Sequence, residues 1–516
     1  MSTTAQVTGT WILILIYISV ILYLVFKGAS KTKSISDYAL GSVMFSPVAV
    51  GLSLAAAMTS AATFVINPGF IANFGISGII SYAFALPFAA LTSLIVLTKS
   101  FRKHGQTVKA LTLAQWIGTR YQSRAYALLM GFLSLLLLTF IVLIVVAITK
   151  VLATPLRLNE IWVMTAIVVF VFGYMMFGGA NSMVYTNTIQ AVIMLIVSVI
   201  LLSSGFEYLK EGFGNMLDKL ATIDPVLVSP VNPGSPLFRD YYEIIFAQLI
   251  VGVAIVVQPH IITKSMLLKK ESDVNKFLVT AILVQLIFFL VVITGLYARL
   301  TFPDLSIDGK PLPNDGIIPA YVVQVFANGN VAVIVGLFVM LGLISAGMST
   351  LEGLIQSVST TITADIIKPL MGKRLKDDSK LVRINKMAIA AMALITVYLS
   401  YGQLIKPNLS VGIFAQNGVY AFFSAAFVPV IFGIFLRNVR TYVPVLASIT
   451  AIMVHFSVYY LLPLGVENYS WDLGFFTKFL QGPVKNPAIA ASTAIVISTM
   501  AGFIGYFFQS KTGKES

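Results

Sequence analysis

The 516-residue sequence has no cysteine, three histidines and only 10% charged residues, and each scarcity closes off a class of protein. Without cysteine there are no disulfides, thiolate metal sites or cysteine nucleophiles, although the redox compartment stays open. Histidines at 104, 260 and 455 are too few and too scattered for a histidine-rich metal centre. A soluble domain carries roughly 25% charged residues, and a chain that is 58% hydrophobic with mean hydropathy +0.91 cannot keep so much apolar surface dry. It reads as an all-α integral membrane protein, surrounded by membrane lipid. Acidic residues are also scarce, 20 against 34 Lys and Arg. In a polytopic chain that excess gathers in cytoplasmic loops, so the net charge of +14 points to topology and not to a nucleic-acid partner. No nucleophile–base pair or metal-ligand cluster stands out, which counts against an enzyme; no obligatory protein partner is evident either.

What the chain has is long apolar runs. About 20 apolar residues cross a bilayer core, and about thirteen runs of that kind lie near 9–26, 45–66, 76–98, 126–149, 161–178, 188–206, 244–262, 277–298, 330–357, 387–405, 411–436, 442–463 and 486–508. Every second connection is basic: KGASKTK, KSFRKHGQTVK, TKSMLLKK, KPLMGKRLKDDSKLVR and RNVR. About 24 of the 34 Lys and Arg then share one side, which predicts an external amino terminus and a cytoplasmic carboxyl terminus in the inner (plasma) membrane. The leader MSTTAQVTGT lacks a positive n-region, so the first run is expected to be a retained span and not a cleaved signal. The loops at 207–243 and 302–329, rich in Pro, Gly and Asp, are expected to cover an external mouth.

Two runs carry polar residues at depth. The 45–66 run has Ala55, Ala56, Ala57, Thr59, Ser60, Ala61, Ala62 and Thr63 at its centre, which suits either close helix packing or an opened turn. The 330–357 run has Ser345, Ala346, Ser349, Thr350 and Glu352. Its hydroxyls either bond the carbonyl one turn back or join a cage of about five oxygens around a hard cation such as sodium. A carboxylate at that depth is costly and marks a functional site by default. Transporters often pair two inverted repeats whose first helices are broken at mid-membrane. Five runs in 45–206 and five in 244–436 make such a pair. The remainder is a leading helix and cytoplasmic loop (1–44), an external loop (207–243), and two trailing helices with a short tail (437–516).

These residues resemble the sodium/solute symporter family, which includes bacterial proline, galactose, sialic acid, pantothenate and acetate carriers. The resemblance covers nearly the whole chain and rests on SDYALGS (36–42), PGFIANFGISG (68–78), TLAQWIGTRY (112–121), GGANSMVYTNTIQ (178–190), QPHIITK (258–264) and SAGMST (345–350). It implies a LeuT-like five-plus-five inverted repeat and sodium as coupling ion. It also implies a sodium site made by the carbonyls of Ala56, Thr59 and Ala346 with the hydroxyls of Ser349 and Thr350. The implied solute contacts are Met58, Ser60, Thr63 and Gln416, while Pro259 and His260 read as helix-end residues. Members with a second sodium site resemble GG…TD…Q at the helix of the 188–206 run and use that Asp, one residue before the run, with two hydroxyls beyond Thr350. Here those positions are Asn187, Glu352 and Gly353, so the carboxylate has changed helices. Asn187 and Glu352 are expected to form a modified cation site, a proton site, or a structural hydrogen bond.

The expected function is sodium-coupled import of a small organic solute, a monocarboxylate or amino-acid-like molecule, by alternating access. Proton coupling through Glu352 and a transporter-like membrane sensor are the alternatives. The short tail QSKTGKES, which carries no signalling domain, counts against the sensor.

Overall fold

The computed structural model describes residues 4–42, 45–268, 270–372, 377–406 and 410–512. Part of the basic connection, 373–376, and the end of the tail, 513–516, lie outside the described residues. Each expected run falls on a helix. In chain order these are α1 (Gln6–Ala29), α2 (α2a, Pro47–Met58, and α2b, Ala62–Phe74), α3 (Ile76–Thr107), α4 (Arg124–Leu156), α5 (Glu160–Met175) and α6 (Gly179–Ser203). They continue as α7 (α7a, Tyr242–Ile255, and α7b, Pro259–Leu267), α8 (Glu271–Thr301), α9 (Asn330–Met371), α10 (Asp378–Ile405), α11 (Val411–Phe435), α12 (Tyr442–Tyr469) and α13 (Pro487–Gln509). Ten are continuous and long and apolar enough to cross a membrane; α2 and α7 pass the same test as bent pairs, and α5 is a shorter apolar helix of 16 residues.

The two bends have different local causes. In α7 the break is at Gln258-Pro259: proline drives the preceding residue out of the helical region, and Gln258 is extended (φ −60°, ψ 136°). In α2 no proline sits at the break. Met58 ends the first half, Thr59 turns extended (φ −105°, ψ 103°), and the Ser60 hydroxyl accepts from the Ala62 N–H at 3.1 Å to start the second half. The bends measure 54° in α2 and 57° in α7.

Packing follows an exchange rule. Replacing α2–α6 by α7–α11 turns the contacts α2·α6, α3·α7 and α6·α9 into α7·α11, α8·α2 and α11·α4, and all six are present. α1 packs on α6, while α12 and α13 pack on each other and on α11. Close approach of α9 to α4 depends on Gly347, where a Cβ would meet the Ile148 side chain at 2.5 Å. The loop before α9 lies over the α2b–α11 end of the bundle. Asn314 donates to the Ile66 carbonyl (3.2 Å), and Asp315 accepts from the Ser410 hydroxyl (2.6 Å) and the Val411 N–H (3.2 Å). Burial pushes the Asp315 carboxyl above the usual carboxylate range, against those hydrogen bonds.

Candidate functional site

The opened turn of α2 leaves carbonyls without helical partners, and α9 meets them with hydroxyls. Ser349 Oγ lies 2.9 Å from the Ala56 carbonyl oxygen and 3.2 Å from that of Ala346. Thr350 Oγ1 lies 3.2 Å from the Ala57 carbonyl, 3.4 Å from those of Thr59 and Ala346, and 3.5 Å from that of Ala56. All five expected sodium-site residues therefore bring an oxygen to one point between α2a and α9. Each of them is fully buried. Ala346, Ser349 and Thr350 share a face because they are spaced i, i+3 and i+4 along one helix.

The break is supported by a residue the sequence did not single out. Gln285 of α8, fully buried, accepts from the Thr59 hydroxyl at 2.7 Å and donates to the Ala55 carbonyl at 3.0 Å. One amide thus serves both sides of the opened turn. Replacing Gln285 with Ala strands a buried hydroxyl and shares out one carbonyl less well, at a cost of about 1–3 kcal/mol. The expected result is a lower unfolding temperature together with a weaker stabilisation by added sodium, read by thermal unfolding with and without NaCl. Loss of stability with the sodium response intact would make Gln285 a packing residue only.

Met58, Ser60, Thr63 and Gln416 all line a second feature, a cavity of about 90 Å³ between the two bends and α11. None of its lining residues is Asp, Glu, Lys or Arg. Three further polar groups on its wall are buried without a partner: Asn67 Oδ1, Gln258 Oε1 and both ring nitrogens of His260. Unpaired buried polar atoms are rare, and here they are gathered on one cavity wall. Pro259 is the helix-starting residue expected, but His260 faces the cavity as well. The signal lay in the symmetry of the two bends, since QPH occupies in α7 the place that the small-residue run occupies in α2. A larger cavity of about 380 Å³ has apolar walls from α1, α4, α5 and α9, including Trp11 and Trp162, and touches none of these polar groups.

Glu352 is enclosed by donors. Its Oε1 accepts from the Tyr174 hydroxyl (2.6 Å) and Gln190 Nε2 (3.3 Å), and its Oε2 accepts from the Thr186 hydroxyl. The orientation of the Asn187 amide that satisfies its neighbours has the amide NH2 donating to Glu352 Oε2 at 3.2 Å and its oxygen accepting from Lys264 Nζ at 3.1 Å. Asn187 and Glu352 are therefore in direct contact across α6 and α9.

The sequence profile described as the sodium:solute symporter family matches residues 38–450. The chain is 23% identical to the sodium/pantothenate symporter of Haemophilus influenzae, over 87% of this chain and 89% of that one. It is 26% identical to the sodium/pantothenate symporter of Escherichia coli, over 73% of this chain and 76% of that one. Its fold is similar to a sodium-coupled sialic acid symporter solved in a substrate-bound outward-open state, with TM-score 0.75 and 16% identity over 96% of this chain and 97% of that one.

Proposed function

We propose, because this chain belongs to the sodium:solute symporter family, that it imports a small monocarboxylate or amino-acid-like solute together with sodium by alternating access. Membership makes it a multi-pass, sodium-coupled symporter of a small solute, a transporter and not an enzyme. The solute class, the ligand set and the direction are our reading. Sodium is held by the carbonyls of Ala56, Thr59 and Ala346 and the hydroxyls of Ser349 and Thr350. The observation that carries this is the meeting of those oxygens within 3.5 Å of a hydroxyl across two helices. A bound cation accepts the lone pairs of both hydroxyls and ties α2a to α9; its release to the cytoplasm frees the two helices to separate. If sodium tightens the solute, the solute must tighten sodium by the same factor.

The solute occupies the cavity beside Met58, Ser60, Thr63 and Gln416. The start of α2b and the start of α7b both reach its wall, and helix amino ends favour a carboxylate without a cationic side chain. Gln258, Asn67 and His260 supply hydrogen-bonding atoms for the rest of a small polar molecule. The pantothenate named for two relatives is itself a monocarboxylate. The two repeats, 45–206 and 244–436, are supported by the exchange of contacts and by the matched bends. The external amino terminus rests on the charge of the loops, and the inner-membrane location on the family and its bacterial members.

The test is a thermal-shift screen in sodium over proline, short monocarboxylates, pantothenate and sugars, followed by uptake of any hit into proteoliposomes under imposed gradients. Uptake of a monocarboxylate or amino acid driven by an inward sodium gradient is expected. Uptake driven by a pH gradient alone would replace sodium with protons, and a sugar as sole substrate would overturn the solute class.

A further inference from the structure

Lys264 falls in the basic connection TKSMLLKK and would ordinarily be a solvated loop charge. The structure buries it instead, at 2% exposure, and among the described residues it is the only buried lysine. It lies in the last turn of α7b, and its ammonium donates to Ser53 Oγ of α2a at 2.7 Å and to Asn187 Oδ1 of α6 at 3.1 Å. Asn187 passes the contact on to Glu352 of α9 at 3.2 Å. The other ionisable neighbours of this cluster are His260, buried one turn before Lys264 on α7b, Tyr174, which holds Glu352 directly, and Tyr17, which reaches it through Gln190 (2.9 Å).

The location matters more than the burial. Ser53 precedes Ala56 and Ala57 by three and four residues on α2a, and Glu352 follows Ser349 and Thr350 by three and two on α9. The Lys264 cluster is therefore about one helical turn, roughly 5 Å, along the same seam from the oxygens of Ala56, Thr59, Ala346, Ser349 and Thr350. The seam holds two neighbouring polar places: the first draws its oxygens from α2a and α9, the second from Ser53 of α2a and Asn187 of α6. One is lined by uncharged oxygens alone. The other has a carboxylate within one amide of it and is filled by the protein's own ammonium. A buried ammonium persists only with a compensating charge and full hydrogen bonding, and Asn187 supplies the link to that charge.

We infer that Lys264 is a built-in cation: its ammonium occupies the second cation position of the α2–α9 seam, with Glu352 as its counter-charge, so the chain binds one mobile sodium ion and excludes a second. Glu352 then serves Lys264 rather than sodium or a transported proton. Because the charge is tethered to α7b, it also joins that half-helix to α2a, α6 and α9. The inference rests on the sodium reading of the first site, and the test separates the two.

Purified protein in nanodiscs is titrated with radioactive sodium at pH 7, with no solute needed. Wild type is expected to hold about one ion per chain, and Lys264→Ala about two, because the freed carboxylate and the oxygens of Ser53 and Asn187 take a second ion. Ser349→Ala/Thr350→Ala should hold about none. Two ions in wild type, or one in folded Lys264→Ala, overturns the inference and leaves the sodium reading standing. No binding by wild type overturns the sodium reading and the inference with it. Should Lys264→Ala not fold, Lys264→Ser, which keeps a hydroxyl in place of the ammonium, decides: about two ions support the inference, and about one overturns it.

Discussion

Replacing Ser349 or Thr350 by alanine raises the sodium concentration needed for half-saturation about tenfold or more, and replacing both abolishes sodium-dependent stabilisation and uptake. Each hydroxyl is one of five oxygens expected around the ion. A hydrogen bond or dipole contact to a full charge contributes about 1.5–3 kcal/mol, which is roughly a factor of 10 to 100 in affinity. Stability without sodium should fall less, because the hydroxyls then make only neutral hydrogen bonds to carbonyls of Ala56, Ala57, Thr59 and Ala346, each contributing about 0.5–1.5 kcal/mol. Ser357→Ala is the control on the same helix, since its hydroxyl only returns to the Leu354 carbonyl one turn back at 3.2 Å. The measurement is a sodium titration of binding or uptake for wild type and these four variants. An unchanged half-saturation in Ser349→Ala would remove that residue from the ion's surroundings.

Truncating Glu352 to alanine is expected to lower the unfolding free energy by about 3–5 kcal/mol, the loss seen when one partner of a buried charge pair is removed. Three donors besides Asn187, namely Tyr174, Thr186 and Gln190, lose their acceptor at once. Lys264 meanwhile keeps only Ser53 and Asn187, neither of which carries a charge. Adding Lys264→Met to Glu352→Ala should recover a substantial part of the loss, because the uncompensated ammonium goes with it. Chemical or thermal unfolding of wild type and the two variants in detergent reads this directly. A loss below about 1 kcal/mol for Glu352→Ala would mean that the two charges do not depend on each other.

The sequence carried a good part of the site because its signals are local. Thirteen apolar runs declare themselves by length, and Pro259 breaks α7 through its own ring whatever surrounds it. Ala346, Ser349 and Thr350 sit on one helical face by spacing alone. Which residue of the small run turns extended in α2 was legible only through the resemblance, since alanine and threonine tolerate either a straight or an opened turn. Gln285 was not legible at all: an amide in an apolar run has many uses, and only the approach of α8 to Thr59 assigns this one. His260 lost its place in the cavity to a reading of QPH as a helix end, although both roles are filled.

Sequence alone, then, determined a polytopic all-α chain and set Ala346, Ser349 and Thr350 on one helical face, because each follows from composition or from spacing within one helix, whereas the two halves and the oxygens of the small-residue run were expected from the resemblance. Glu352 could be read as an unusual carboxylate but not paired. Tertiary structure decided its partner, since Lys264 precedes it by 88 residues and looks from its neighbours like one more cytoplasmic charge. The bend at Gln258 and Pro259 directs α7b into the bundle, and that turn takes the ammonium out of water and into contact with Ser53 and Asn187. Burial of a charge is a property of the folded surroundings, and no pattern of neighbouring residues encodes it.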